Sequence, residues 1–371
     1  MLQDGAVLLH RGLIESVEHV GRLPPPEGSE IIESEILIPG FIDMHVHGAG
    51  GHAFAGGADA TREVCRLLAR SGVTTCYAGL GAGRTLADIC ETVAAAATVV
   101  GGETGGARLA GVFMEGPFIS VEKKGAWNAG HLRQPSLLEM KQLISAAADR
   151  IRRINVAPEL PGALDLIRNA SDQGVVVSIG HSNATYEQAL AAVAAGATIV
   201  NHTFNAMSGL DHRAPGLVGA AMTSKDLLAE LILDGVHVHP AAALSLYRAK
   251  GAIGVALVTD GSQMLGLPDG TYQGSQRTVT VREGACRLPD GTLAGSVSPF
   301  DRDVRNARQV LDADLVALAA LSSGNAARAM GLADQTGAIR EGLAADLVLL
   351  DDSLELVATV VGGTVVYRRE D

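Results

Sequence analysis

One pattern recurs down the chain: a short apolar or β-branched run, a turn, then an alanine-rich stretch of helical periodicity. The runs fall at 36–43, 73–79, 108–114, 151–157, 174–180, 197–202, 227–233 and 253–259. Between them lie helical patterns such as REVCRLLARSG, LADICETVAAAATVV, SLLEMKQLISAAAD and TYEQALAAVAAG, and 301–321 supplies a last helix. Eight strand–helix units in succession fit a closed (β/α)8 TIM-like barrel better than an open doubly wound sheet. The absence of a glycine-rich dinucleotide fingerprint after the first run weakens the open sheet further. Outside the repeats, 6–20 and 30–38 flank the turn-rich GRLPPPEGSE and read as short strands. The C-terminal ADLVLLDDSLELVATVVGGTVVYRRE has the same texture, with a hairpin signal at Gly362 and Gly363. The two ends are therefore expected to build one small β-sandwich domain, 1–38 plus 336–371, leaving 39–335 for the barrel.

Composition narrows the partners. Hydrophobic residues make up 47% of the 371-residue chain, which is ordinary for a globular protein. Aromatic residues are only 3%, too few for the stacking platforms of single-stranded nucleic-acid binders, and a net charge of −12 disfavours a polyanion. A small anionic substrate is compatible with local cations. Cys65, Cys76, Cys90 and Cys286 show no close pairing and no CxxC, so neither a disulfide framework nor a thiolate metal site is expected. The N-terminal stretch carries charges through its apolar pattern, and no apolar run is long enough to span a bilayer. A reducing, cytoplasmic setting follows as the expectation.

In a barrel of this kind the active site gathers at the carboxyl ends of the strands. Here those ends carry His45 and His47 in FIDMHVHG, Glu115 in FMEGPF, His181 in SIGHSNAT, His202 in VNHTFNAM and Asp260 in LVTDG. Strand alternation would point His45 and His47 to one side and Val46 to the other. A lone histidine at a strand end is ordinarily a hydrogen-bonded or surface residue, and a lone Asp260 could cap a helix or a turn. Six metal-capable or proton-transferring residues at one mouth point instead to a metal centre. Nitrogen and carboxylate ligands without thiolates suit a divalent ion, zinc or iron first. Such an ion lowers the pKa of water toward neutrality, and Asp260 can then accept and return a proton, which is hydrolase chemistry. His52 reads as a loop residue, His239 as part of the turn into a helix, and His10 and His19 as members of the small β unit.

With these residues in place the chain resembles the amidohydrolase superfamily and, within it, the N-acetylglucosamine-6-phosphate deacetylases. The blocks that carry the likeness run nearly end to end in order: IPGFIDMHVHG, MEGPFIS, KKGAWN, IGHSNAT, NHTFNAMSGLDHRAPGL, ILDGVHV, LVTDG, DGTLAGS, GNAARAMGL and GAIREGLAADLVLL. The resemblance implies hydrolysis of the acetamide of an N-acetyl-hexosamine 6-phosphate. Glu115, His181 and His202 would hold the main ion, and His45 and His47 a second one with Glu115 bridging, so one or two ions per subunit are expected. Asp260 would be the general base and then the general acid. Asn205 and Ala206 would contact substrate, Arg213 and His237 would bind its phosphate, and Ala126, Trp127, Leu293, Ala294 and Gly295 would line the sugar pocket. Asp234 would either orient His237 or cap the following helix. The resemblance also implies a homodimer, because the phosphate-binding histidine can come from the partner subunit.

Three departures fall around the pocket. Trp127 stands where the family usually has a histidine near the acetyl group, Gly261 replaces an alanine after the base, and LAGSVSPF replaces a more familiar block. They bear on which N-acyl amine is cleaved, the galacto epimer and other acyl amines included, more than on the reaction. A catalytically silent sugar-phosphate binder is the alternative from another class, disfavoured because every ligand type and Asp260 are kept. Superfamily members with a carboxylated lysine at the fourth strand are disfavoured too, since that strand runs into INVAPEL and Lys141 lies in a helix.

Overall fold

The computed structural model describes residues 2–274 and 277–370. Eight parallel strands form one sheet in chain order: β1 (Phe41–Val46), β2 (Val73–Leu80), β3 (Arg108–Glu115), β4 (Ile151–Val156), β5 (Val176–Ile179), β6 (Ala197–Val200), β7 (Leu228–Leu231) and β8 (Val255–Leu257). A helix follows each: α1 (Ala58–Ala69), α2 (Leu86–Ala97), α3 (Leu137–Ala146), α4 (Ala163–Asp172), α5 (Tyr186–Ala194), α6 (Gly216–Thr223), α7 (Pro240–Lys250) and α8 (Phe300–Val310). Several starts are written locally, since Thr85, Ser136 and Thr185 each accept a hydrogen bond from the backbone N–H three residues on. The edge strands close the barrel by scattered bonds instead of a full ladder. Val46 bridges Gly261, Asp260 N donates to His45 O at 2.8 Å, and the Thr259 hydroxyl donates to Asp43.

The apolar runs serve two packing surfaces. Val255 and Leu257 face the helices in one large core, whereas Ala256 and Val258 face the barrel interior with Ile42, Met44, Tyr77 and Phe113. Strict alternation fails in β1. Ile42 and Met44 point inward but Val46 points out to the helix layer, and the pairing with β2 shifts register between Asp43 and Val46. This irregularity lets Met44 and the adjacent His45 both reach the inside, a re-aiming of side chains that bulges commonly provide beside active sites.

Two sequence expectations need correction, and one sheet was not anticipated. The run 36–43 is two strands, because the chain changes sheet at Gly40: Ile36–Pro39 pairs antiparallel with Leu347–Leu350, and β1 begins at Phe41. Any side chain at Gly40 would collide with Thr74. The helix expected over 301–321 ends at Val310 and resumes at Leu315, where Asp314 caps a new start that runs through a π-turn at Ala320–Gly324 into Asn325–Ala329. Between β8 and α8 the chain also builds a four-stranded antiparallel sheet (Gly270–Gln273, Thr278–Arg282, Ala285–Arg287, Leu293–Ser296) that the sequence reading did not separate from loop.

The chain ends contribute a second four-stranded sheet, with Ile36–Pro39 beside Leu347–Leu350, Leu356–Val361 and Thr364–Arg368. Val361 pairs with Thr364 across the Gly362–Gly363 turn, as the hairpin signal implied. The hairpin of Gly5–His10 and Leu13–His19 packs on this sheet through Val7, Leu9 and Ile14 against Leu347, Leu349 and Val360. Among the described residues no helix is long and apolar enough to cross a membrane.

Asp303, in the first turn of α8, is fully buried; it accepts from Ser298 Oγ at 2.8 Å and leaves Oδ2 without a partner. Burial, opposed by the Ser298 bond and reinforced by Asp234 and Asp43, pushes its carboxyl well above its ordinary value of 3.8. A carboxyl raised in the folded state stabilises fully only below the unfolded value, and that contribution is lost as pH rises toward the folded one. Asp303→Asn keeps the shape without the titration, so its melting temperature relative to the parent chain should climb as pH is raised from about 5 upward. Thermal melts across that range check this, and a constant offset contradicts it.

Candidate metal centre and active site

All six strand-end residues meet at one mouth of the barrel. The Glu115 carboxylate, 3% exposed, is the hub: its Oε1 lies 3.1 Å from His45 Nε2, 3.2 Å from His181 Nε2 and 3.0 Å from His202 Nε2, and its Oε2 lies 3.1 Å from His47 Nε2. Asp260 Oδ1 stands 3.5 Å from His45 Nε2 and 3.3 Å from His47 Nε2. The donors fall into two overlapping groups, His45–His47–Glu115–Asp260 and Glu115–His181–His202, each compact enough to hold an ion. His181, His202 and Asp260 follow their strands with φ of 47°, 24° and 47°, a left-handed backbone that non-glycine residues keep only where their surroundings impose it.

The outer hydrogen bonds test whether a cation fits. His45 Nδ1 faces Glu230 Oε2 at 2.8 Å, His47 Nδ1 faces Gly79 O at 3.0 Å, and His181 Nδ1 faces Lys123 O at 2.7 Å. Carboxylate and carbonyl oxygens only accept, so each Nδ1 carries a proton and each Nε2, turned inward, is left to take a proton or a metal ion. Lone pairs aimed at a carboxylate repel it unless a cation stands among them, and buried His45 Nε2 has no well-directed hydrogen bond of its own. His202 Nε2 and His181 Nε2 are 3.1 Å apart, close enough to share one ion. This is the outer-shell pattern of metal-ligating histidines, and the residues fit a divalent ion. The same field shows in titration. Burial opposes charge on His47, yet the bonds to Asp260 and Glu115 raise its pKa to about 9. Burial likewise opposes charge on Glu115 and Asp260, but the surrounding histidines hold both carboxylates below their usual range.

Below the hub lies a charged layer that the sequence reading missed. Arg153 and Glu230, both fully buried, pair with each other inside the barrel. Arg153 also donates to Met44 O at 3.1 Å, Ser178 Oγ at 3.2 Å and Asn201 Oδ1 at 2.6 Å, and lies over the Phe113 ring at 4.1 Å. Burial opposes the Glu230 charge, but Arg153 and His45 hold its pKa at about 2. The available signal was Arg153 and Glu230 inside the strands IRRINV and LAEL, where apart from exposed Arg152 the other residues are buried or half-buried.

Above the hub opens a cavity of about 1030 Å³. Asn205, Ala206 and His237 line it on one side, and Leu293, Ala294 and Gly295 from the inserted sheet close another. Ala126 and Trp127 form a wall, with the indole edge-on to His47 at 6.0 Å and packed so closely on Gly81 that no side chain fits there. Asp234 resolves toward orienting His237: its Oδ2 accepts from His237 Nδ1 at 2.7 Å, while α7 is capped by His239 instead. Arg213 departs from expectation, since it sits on an exposed loop and does not line this cavity.

Sequence comparison agrees with this geometry. Residues 36–366 match the profile described as the Amidohydrolase family. The chain belongs to that family. This amidohydrolase is 31% identical over 372 residues to an N-acetylglucosamine-6-phosphate deacetylase of Bacillus subtilis (strain 168), covering 99% of this chain and 94% of that one. It is 35% identical to an N-acetylgalactosamine-6-phosphate deacetylase of Escherichia coli O157:H7, covering 96% and 93%. Among solved structures, an N-acetyl-D-glucosamine-6-phosphate deacetylase variant from Mycobacterium smegmatis, in complex with N-acetyl-D-glucosamine 6-phosphate, superposes with a TM-score of 0.91 at 31% identity, over 98% of this amidohydrolase and 94% of that chain.

If the hub holds an ion, stripping it with a chelator should lower the melting temperature and restoring zinc should recover it. At a free ion concentration about a hundredfold above the dissociation constant the gain is about 2.7 kcal/mol. Identical melts with and without chelator contradict this.

Proposed function

We propose that this chain is a divalent-metal-dependent hydrolase that cleaves the acetamide of N-acetyl-D-glucosamine 6-phosphate, giving D-glucosamine 6-phosphate and acetate in amino-sugar metabolism. The observation that carries the reading is the convergence of Glu115, His181 and His202 with Asp260 beneath a cavity that also presents His237. The family match and the deacetylase relatives support it.

In this reading Glu115, His181 and His202 hold one ion, and His45 and His47 with Glu115 and Asp260 hold a second. Zinc or iron suits the donor set. Such an ion supplies Lewis acidity toward the amide carbonyl and makes water nucleophilic near neutral pH. Asp260, charged and at the mouth, takes the proton that the attacking water releases and hands it to the departing amine as the C–N bond breaks. Asn205 and Ala206 position the sugar, while Leu293, Ala294 and Gly295 enclose it. His237, with Nδ1 committed to Asp234, offers Nε2 to the phosphate. Trp127 can turn its indole N–H to the acetyl oxygen, or else leave polarisation of the carbonyl to the ion.

Arg213 is exposed on this chain, so its assignment to phosphate needs a neighbouring copy, and we propose a homodimer on that ground. We also propose the division into a small β-sandwich domain, 1–38 plus 336–371, and a catalytic barrel, 39–335. The change of sheet at Gly40 supports it. A cytoplasmic location is part of the same reading; the four cysteines, all free, and a phosphorylated substrate support it.

A second reading, the galacto epimer, is favoured by the Escherichia coli relative. Acetate release measured side by side on the gluco phosphate, the galacto phosphate and the unphosphorylated sugar decides among these. The gluco phosphate is expected to win over the unphosphorylated sugar by about a hundredfold or more in kcat/KM, about 2.7 kcal/mol of transition-state binding. Asp260→Asn should lower kcat by about a hundredfold to ten-thousandfold with the Glu115–His181–His202 ion retained. No turnover of either phosphate by metal-loaded protein, or near-normal turnover by the variant, overturns the reading.

A further inference from the structure

We propose that Glu230, held in place by Arg153, is a positioning residue that sets the filling of the His45–His47 ion site. The inference rests on the metal-centre reading above and deepens it. Three observations carry it. Glu230 Oε2 stands 2.8 Å from His45 Nδ1, so a carboxylate that only accepts fixes the protonated nitrogen of the ring and aims Nε2 at Glu115 and Asp260. The same oxygen accepts from His202 N at 3.0 Å, which ties the backbone of a ligand in the other group to the same point. Arg153 occupies the other carboxylate oxygen, and its remaining bonds go to Met44, Ser178 and Asn201, so Glu230 has one place to stand.

The two groups depend on Glu230 unequally. At His45 the ring itself is oriented by Glu230, and without that acceptor the buried imidazole can flip tautomer or rotate. At His202 only the backbone bond is lost, and the ring stays against Glu115 and His181 at 3.0 and 3.1 Å. Removing Glu230 therefore weakens the His45–His47 ion by about tenfold to a hundredfold, the usual effect of losing an outer-shell partner. The Glu115–His181–His202 ion changes far less.

The test counts zinc per full-length chain at fixed free Zn²⁺ in the parent protein, in Glu230→Gln and in Arg153→Met/Glu230→Leu. The double variant removes both buried charges together, which keeps the measurement available if the single variant, with Arg153 left unbalanced, does not fold. Two ions are expected in the parent. One ion is expected in each variant at the same free zinc, with the second regained as zinc is raised about tenfold to a hundredfold. A purely structural role would instead weaken both ions together, and that result overturns the proposal. Two ions at parental affinity in both variants, or a parent that holds only one, also overturns it. A parent that holds no ion refutes the metal-centre reading itself and the proposal with it.

Discussion

Four imidazoles share one carboxylate at the mouth of this barrel, and most of what surrounds them exists to make that arrangement tolerable. Glu115 is almost fully buried, and three nitrogens approach one of its oxygens within 3.0–3.2 Å. A charge so far from water is costly unless opposite charge or directed hydrogen bonds compensate it. Three of the rings spend their Nδ1 protons on oxygens outside the hub, which leaves the centre electron-rich and suited to a cation. The backbone joins in, with His181, His202 and Asp260 held in left-handed conformations at the points where their strands end.

The barrel interior is layered accordingly. Its floor is apolar, with Ile42, Met44, Tyr77 and Phe113 packed against Ala326, Ala327 and Met330. Above the floor the Arg153–Glu230 pair reaches side chains or carbonyls from several strands, and above that sits the hub. Phe113 links the layers: Arg153 lies over its ring, and His45 meets it edge-on at 4.8 Å. A buried pair of this kind contributes little net stability against well-packed apolar residues, so its value lies in where it holds His45.

The inserted sheet from Gly270 to Ser296 supplies one side of the cavity, and it has a satellite core of its own around Met264, Val279, Val281 and Cys286. Trp127 lines the same cavity beside His47 and Gly81. Of the departures from the family pattern, Trp127 lines the cavity, whereas Gly261 lies behind it between Asp260 and Ser262.

Much of this was legible in the chain itself, because the relevant physics is local. Apolar runs alternating with capped helical stretches specify strands and helices, and histidines, Glu115 and Asp260 at the ends of those runs specify a metal-capable mouth once the barrel is granted. What depended on tertiary structure is whatever arises between residues far apart in sequence. Glu230 meets His45 across 185 positions, and no window of sequence contains both. The register shift that brings both Met44 and His45 inward is set by pairing with β2, the change of sheet at Gly40 by a distant C-terminal strand, and the exposure of Arg213 by the packing around its loop. Sequence determined the kinds of groups and the elements that carry them; only the closed barrel decided which of them face one another, because convergence at a mouth is a property of the whole ring of strands.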